Sequence, residues 1–159
     1  MKTFKKYYSL PASPEEVYLA MTKEQSIQLW TGAEVEFTDE PGTEFSFWDG
    51  DIVGKNIEFE FGKRIVQQWY FGEDNEPSIV TIKLHPDKKG TSLEFVQTNI
   101  PDEDYEDFTS GITEHYLGGL GDFFEEELKL NQKKYEQERR TNPGYPGSYP
   151  VNMDRLYVY

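Results

Sequence analysis

Along much of the chain the apolar residues recur at every second position. The sets Val35/Phe37, Phe45/Phe47, Ile57/Phe59/Phe61, Ile65/Gln67/Trp69/Phe71, Val80/Ile82/Leu84 and Leu93/Phe95/Gln97 each fall on one face of an extended segment. Turn residues separate them at Pro41-Gly42, Asp49-Gly50, Gly62-Lys63, Gly72 to Pro77 and Asp87 to Gly90. The pattern predicts an antiparallel meander between Ala33 and Thr98. In the stretch Ile57 to Phe61, strict alternation puts Ile57, Phe59 and Phe61 in the core and Glu58 and Glu60 in water. Lys2 to Leu10 alternates more loosely and is expected to be an earlier strand that stops before Pro11.

On either side of the meander the period becomes helical. Ser13-Pro14-Glu15-Glu16 carries a full helix start, with Ser13 as the N-cap, Pro14 at the first helical position and Glu16 as the capping-box acid. Val17, Ala20 and Met21 give that helix an apolar stripe, and a second short helix is expected from Glu24 to Trp30, closed by Gly32. Far along the chain, Ile112, Tyr116, Leu120, Phe123, Phe124 and Leu128 share one broad stripe on a wheel turning about 100° per residue. This helix contains Gly118-Gly119-Leu120-Gly121. No strand precedes the glycines and acidic residues follow them, so they read as helical rather than as a phosphate loop. The wheel puts Gly119 beside the buried arc and Gly118 and Gly121 toward the outer face.

The segment Asp102 to Asp107 reads as a solvated linker. After Asn131 the chain turns polar and then rich in Pro, Gly and Tyr, so a domain spanning 1–131 and a tail spanning 132–159 are expected.

Composition narrows the chemistry. There is no cysteine, and the two histidines, His85 and His115, are far apart in sequence, so no metal site or cofactor is expected. No HExxH, calcium loop or Ser-His-Asp order occurs, and Gly50 to Asn56 falls short of a phosphate-binding loop in both spacing and final residue. No anchored catalytic constellation is found. The net charge is −14, with 10 basic and 27 acidic residues in the first 128 positions, against 6 basic and 3 acidic in the remainder. A phosphate backbone needs Lys and Arg, so nucleic acid is not an expected partner. The charge suits an acidic solubilising surface, or a docking face for something basic. With neither a signal-type apolar run nor a membrane-length one, the expectation is a cytoplasmic protein without a membrane partner.

Five stretches, in order, resemble the activator of heat-shock-protein-90 ATPase homologue family of START-like (SRPBCC) domains. They are SPEEVYLAMT followed by Trp30; FSFWDGDIVGK; KRIVQQWYF; IVTIKLHPDKKGTSLEF; and a last helix with Gly111, Tyr116, Gly119, Leu120 and Phe124. The resemblance covers about residues 2–130. It implies an α+β helix-grip fold, in which a curved antiparallel sheet wraps a long C-terminal helix and two short helices follow the first strand. In the eukaryotic co-chaperone of this family a separate N-terminal domain takes part in ATPase stimulation, and 159 residues are expected to leave no room for it. Family members also usually carry a tryptophan where Ile112 stands.

In this superfamily the space between sheet and helix often holds a hydrophobic molecule. On that basis the expected ligand-binding residues are Phe45, Phe47, Phe59, Trp69, Ile82, Phe95, Tyr116 and Leu120, with Trp30 near a mouth and Gly119 giving room. Gln67 and Gln97, in phase with the inward aromatics, are candidates to orient a ligand because a buried amide needs a partner. The same aromatic set can equally fill a core. Two functional readings therefore stand, a non-enzymatic domain binding a hydrophobic small molecule and a chaperone-associated interaction domain, with a cyclase or hydrolase of the superfamily behind them.

Overall fold

The structure, a computed structural model, describes residues 1–141. Strand β1 (Lys2–Leu10) leads into α1 (Pro14–Thr22) and α2 (Glu24–Thr31). A meander follows, made of β2 (Glu44–Phe47), β3 (Ile52–Glu60), β4 (Arg64–Trp69), β5 (Ser78–Asp87) and β6 (Gly90–Ile100). A short 3₁₀ turn at Asp102–Asp104 opens α3 (Tyr105–Gly111), and a π-helical turn (Ile112–Leu117) joins it to α4 (Gly118–Thr141). All six strands form one antiparallel sheet in the order β1-β6-β5-β4-β3-β2, so the first strand closes against the last. This is the expected α+β helix-grip arrangement, a curved open sheet with a long C-terminal helix.

Local sequence accounts for the helix ends. Ser13 Oγ accepts from the Glu16 amide at 3.3 Å, and Pro14 stands where its missing N–H costs nothing. Helix α2 ends at Gly32 in the left-handed region, whose amide bonds the Gln28 carbonyl. The inner face of the sheet, α1, α2, the π turn and the first half of α4 enclose one core. Gly54 shows how tightly it packs, since a Cβ there would run into the Gln68 carbonyl and the Phe45 ring.

Several expectations need correction. Val35 and Phe37 are buried, but their segment makes only an isolated bridge, Glu36 to Ser46, not a strand. In β3 a bulge between Asn56 and Glu58 leaves Ile57 without a ladder partner and breaks the alternation. The residues of β3 that face the core are Ile52, Gly54, Asn56 and, beyond the bulge, the half-buried Phe59, whereas Ile57 is 38% exposed and Phe61 is 60% exposed. Phe61 instead lays its edge on Tyr18. The stretch expected as a linker is helical from Tyr105 onward. Helix α4 runs to Thr141, and residues 142–159, the greater part of the tail expected over 132–159, lie outside the described residues.

The π turn also revises the glycine reading. The Gly118 amide reaches back to the Thr113 carbonyl, five residues away, which inserts about one residue, or roughly 100°, into the helical phase. Gly121 is therefore rotated inward and buried, and a Cβ on it would stand 2.6 Å from the Tyr8 hydroxyl. Gly119 flanks the other side of the buried face, with a Cβ position 3.1 Å from the Trp30 carbonyl oxygen. The segment is helical, as expected, and sits between β1 on one side and α2 on the other.

Candidate functional site

Tyr116 lies at the centre of the molecule. The π turn aims its ring at the sheet, where it meets Trp30 at 5.1 Å, Trp69 at 5.5 Å, Phe95 at 5.9 Å and Phe47 at 6.3 Å between centroids. Edge contacts between Trp69 and Phe95 and between Trp30 and Phe47 tie this group together. Each such pair is worth on the order of 0.5–1.5 kcal/mol beyond the area it buries. Burial pushes the Tyr116 phenol up from its ordinary pKa.

Of the expected site residues, Trp30, Phe47, Trp69, Phe95 and Tyr116 are thus in ring contact with one another. Phe45 packs on Phe47, Ile82 and Leu120 are fully buried, and Phe59 is half-buried against Phe37. Trp30 was expected near a mouth, yet it is 6% exposed and donates its indole N–H to the Ala20 carbonyl at 2.8 Å.

The two inward amides differ sharply. Gln67 is one link in a chain across the sheet: the Trp69 indole donates to Gln67 Oε1 at 2.8 Å, Gln67 Nε2 donates to Asn56 Oδ1 at 2.9 Å, and Asn56 Nδ2 donates to the Thr38 carbonyl at 2.9 Å. Gln97 stands in the same cross-sheet row, through Val80, and is fully buried. Neither polar atom of its amide has a hydrogen-bond partner among the described residues.

Open space lies outside this core. Two adjoining depressions of about 380 and 390 Å³ share Asp51, Ile52, Asp107 and Phe108, and form one groove between the β2–β3 turn and the junction of α3 with the π turn. Trp48 walls one end, its indole N–H bonded to the Thr31 carbonyl at 3.1 Å, with Gly111, Ile112 and His115 beside it. Trp69, Phe71 and Asp104 border the other end. Trp48 and Asp49 both hold left-handed backbone, at φ 51° and 55°. Sequence periodicity missed Trp48, Asp51, Ile52, Asp107 and Phe108 as site residues because they sit in a turn, at a strand start, at the end of the expected linker and just after it. The hairpin motif Trp48-Asp49-Gly50 was the one signal that marked the place.

Among the described residues no group of side chains has the makings of a metal site, and no helix is long and apolar enough to cross a membrane.

Comparison with known proteins agrees with this architecture. The family model for "Activator of Hsp90 ATPase homolog 1-like protein" matches residues 11–125. An activator of 90 kDa heat shock protein ATPase homolog from Dictyostelium discoideum is 30% identical over 132 residues, covering 81% of this chain and 34% of that protein. The human homolog 1 is 31% identical over 114 residues, covering 70% and 34%. The chain therefore spans about a third of the length of these relatives. A crystal structure of an HSP90 activator from Plasmodium falciparum shares the fold at a TM-score of 0.67 and 22% identity, covering 76% of this chain and 94% of that one.

Proposed function

Because the chain belongs to the Activator of Hsp90 ATPase homolog 1-like family, we propose that it serves as a chaperone-associated protein interaction domain. The observation that carries this reading is the packing around Tyr116. The space that would take a ligand between sheet and helix is occupied by the ring of Tyr116 and the four aromatic rings around it. A filled interior leaves recognition to the surface, and the surface is strongly acidic. The relatives that share about a third of their length with this chain are named as activators of a chaperone ATPase, and that supports a chaperone as the partner class. The test is a titration of the purified chain against an Hsp90-type chaperone by calorimetry, with and without nucleotide. Saturable binding that weakens as salt rises is expected. No binding in either nucleotide state would overturn the reading.

One observation favours a second reading, the binding of a hydrophobic small molecule by the expected residues. Among the described residues Gln97 keeps a buried donor and acceptor unpaired, at a cost of about 1–3 kcal/mol for each group, and a ligand offering the complementary pair would remove that cost. Tyr116 would have to swing aside to admit it. Titration with flavonoid-like and fatty-acid-like compounds, followed by Trp69 fluorescence, tests this. The reading expects a saturable response that Gln97→Leu abolishes, and a flat response across the library would sink it.

A further inference from the structure

We infer that the groove between the β2–β3 turn and the α3–π junction docks a short basic and apolar segment of a partner protein, a Lys or Arg beside a large apolar side chain. The inference deepens the reading of the chain as an interaction domain and rests on it. Two adjoining volumes of about 380 and 390 Å³ suit two neighbouring side chains better than one. The floor is apolar, made by Ile52, Phe108 and Ile112, while the carboxylates lining it are Asp51, Asp104 and Asp107. No Lys or Arg lines either half. An arginine or lysine can lay its methylene stem along such a floor and keep its charged head at the carboxylates, so little hydration is lost. Trp48 adds an aromatic wall, and cations favour such walls.

The groove's geometry is fixed before any partner arrives. The Trp48 indole is anchored to the Thr31 carbonyl, and the Asp51 amide bonds the Trp48 carbonyl at 3.2 Å, closing the turn. A preformed wall lowers the ordering cost of docking. The charge of the domain as a whole, 27 acidic against 10 basic residues in the first 128 positions, draws a basic segment toward it.

Gly111 provides a clean way to block the groove. It lines one half, its backbone is helical at φ −61°, and nothing lies within 4 Å of where its Cβ would be. Gly111→Trp should therefore fill the groove without straining the fold, which circular dichroism and thermal melting can verify. The second variant, Asp51→Asn with Asp107→Asn, removes charge at two exposed positions.

The probe is a fluorescein-labelled peptide, acetyl-Gly-Leu-Arg-Trp-Lys-Gly-amide, read by anisotropy on the full chain beside a matched peptide with Glu at both basic positions. The expected result is saturable binding of the basic peptide, weaker by about tenfold or more for the acidic one, for each variant and in high salt. Equal binding of both peptides, or unaltered affinity in Gly111→Trp, overturns the inference. Concentration-dependent self-association that Gly111→Trp abolishes, without peptide binding, also overturns it and gives the groove to a second copy, whose Lys129 to Arg140 stretch is basic. Chaperone binding is measured on the same variants. If the chaperone binds the unaltered chain while the basic peptide does not, the groove inference falls and the interaction-domain reading stands; if the peptide binds and the chaperone does not, the reverse holds.

Discussion

The indole N–H of Trp69 donates to the side-chain carbonyl of Gln67, its neighbour two residues back on the same inward face, across 2.8 Å of fully buried space. Both polar ends of Gln67 are engaged, because its amide nitrogen also reaches Asn56. Gln67→Leu would strand the Trp69 donor and the Asn56 acceptor together. The expected cost is about 2–4 kcal/mol in urea unfolding, with a change in Trp69 emission. A change below about 1 kcal/mol would mean that the chain of bonds is loosely held.

Gln97 is expected to behave in the opposite way. Its amide is buried and unpaired among the described residues, so Gln97→Leu removes a desolvation cost and leaves no described partner behind. Stability should rise by about 1–2 kcal/mol in the same measurement. A clear loss of stability would show that the amide is satisfied in solution.

The glycines around the π turn separate into three kinds. Gly111→Ala enters open space on a helical backbone and should stabilise by up to about 1 kcal/mol. Gly119→Leu presses on the Trp30 main chain and should cost about 1–3 kcal/mol. Gly121→Ala displaces only the outer end of the half-buried Tyr8 ring and should be close to neutral, whereas Gly121→Leu should cost as much as Gly119→Leu. Melting midpoints of the four variants check the order.

Alkaline pH should act through Tyr116. Its folded-state pKa is raised by burial, so the folded state holds the phenol proton more tightly than the unfolded chain does. Stability from this group is complete below the ordinary phenol pKa of about 10 and falls as pH rises beyond it, by on the order of 1.4 kcal/mol per pH unit. Tyr116→Phe should lessen that slope. Chemical unfolding between about pH 9 and 11.5, compared with wild type, measures it.

Wherever one face is buried throughout, the period told which residues point inward. Phe45 and Phe47 on β2, Ile82 on β5, and Phe95 and Gln97 on β6 all sit where alternation put them, and Ser13 caps the helix its sequence announces. Two of the misplacements share one physical origin, an inserted residue. The bulge in β3 exposes Ile57, and the π turn carries Gly121 from the outer side of the helix to the inner; each adds one residue that no fixed period can contain. The groove was hidden for a different reason. Trp48, Ile52 and Phe108 come from a turn, a strand start and a helix far apart in sequence, and no pattern along the chain brings them together. The filling of the interior by Tyr116 was equally hidden, since the same apolar spacing serves a packed core and a lined cavity.

The chain of bonds from Trp69 through Gln67 and Asn56 to the Thr38 carbonyl has a consequence for how the sheet assembles. A slip of two residues keeps the same faces of two strands inward with little change in the area they bury, but three polar groups that find partners at a single offset cannot follow it. Shifting β4 by two residues against β3 would set Ile65 or Trp69 opposite Asn56 in place of Gln67, so that Asn56 Oδ1 and the Gln67 amide lose each other. At about 1–3 kcal/mol for each group left unpaired once the face is buried, the misaligned sheet would be less stable than the native one. The few polar atoms in this core thus single out one strand alignment among those that would bury the same apolar area.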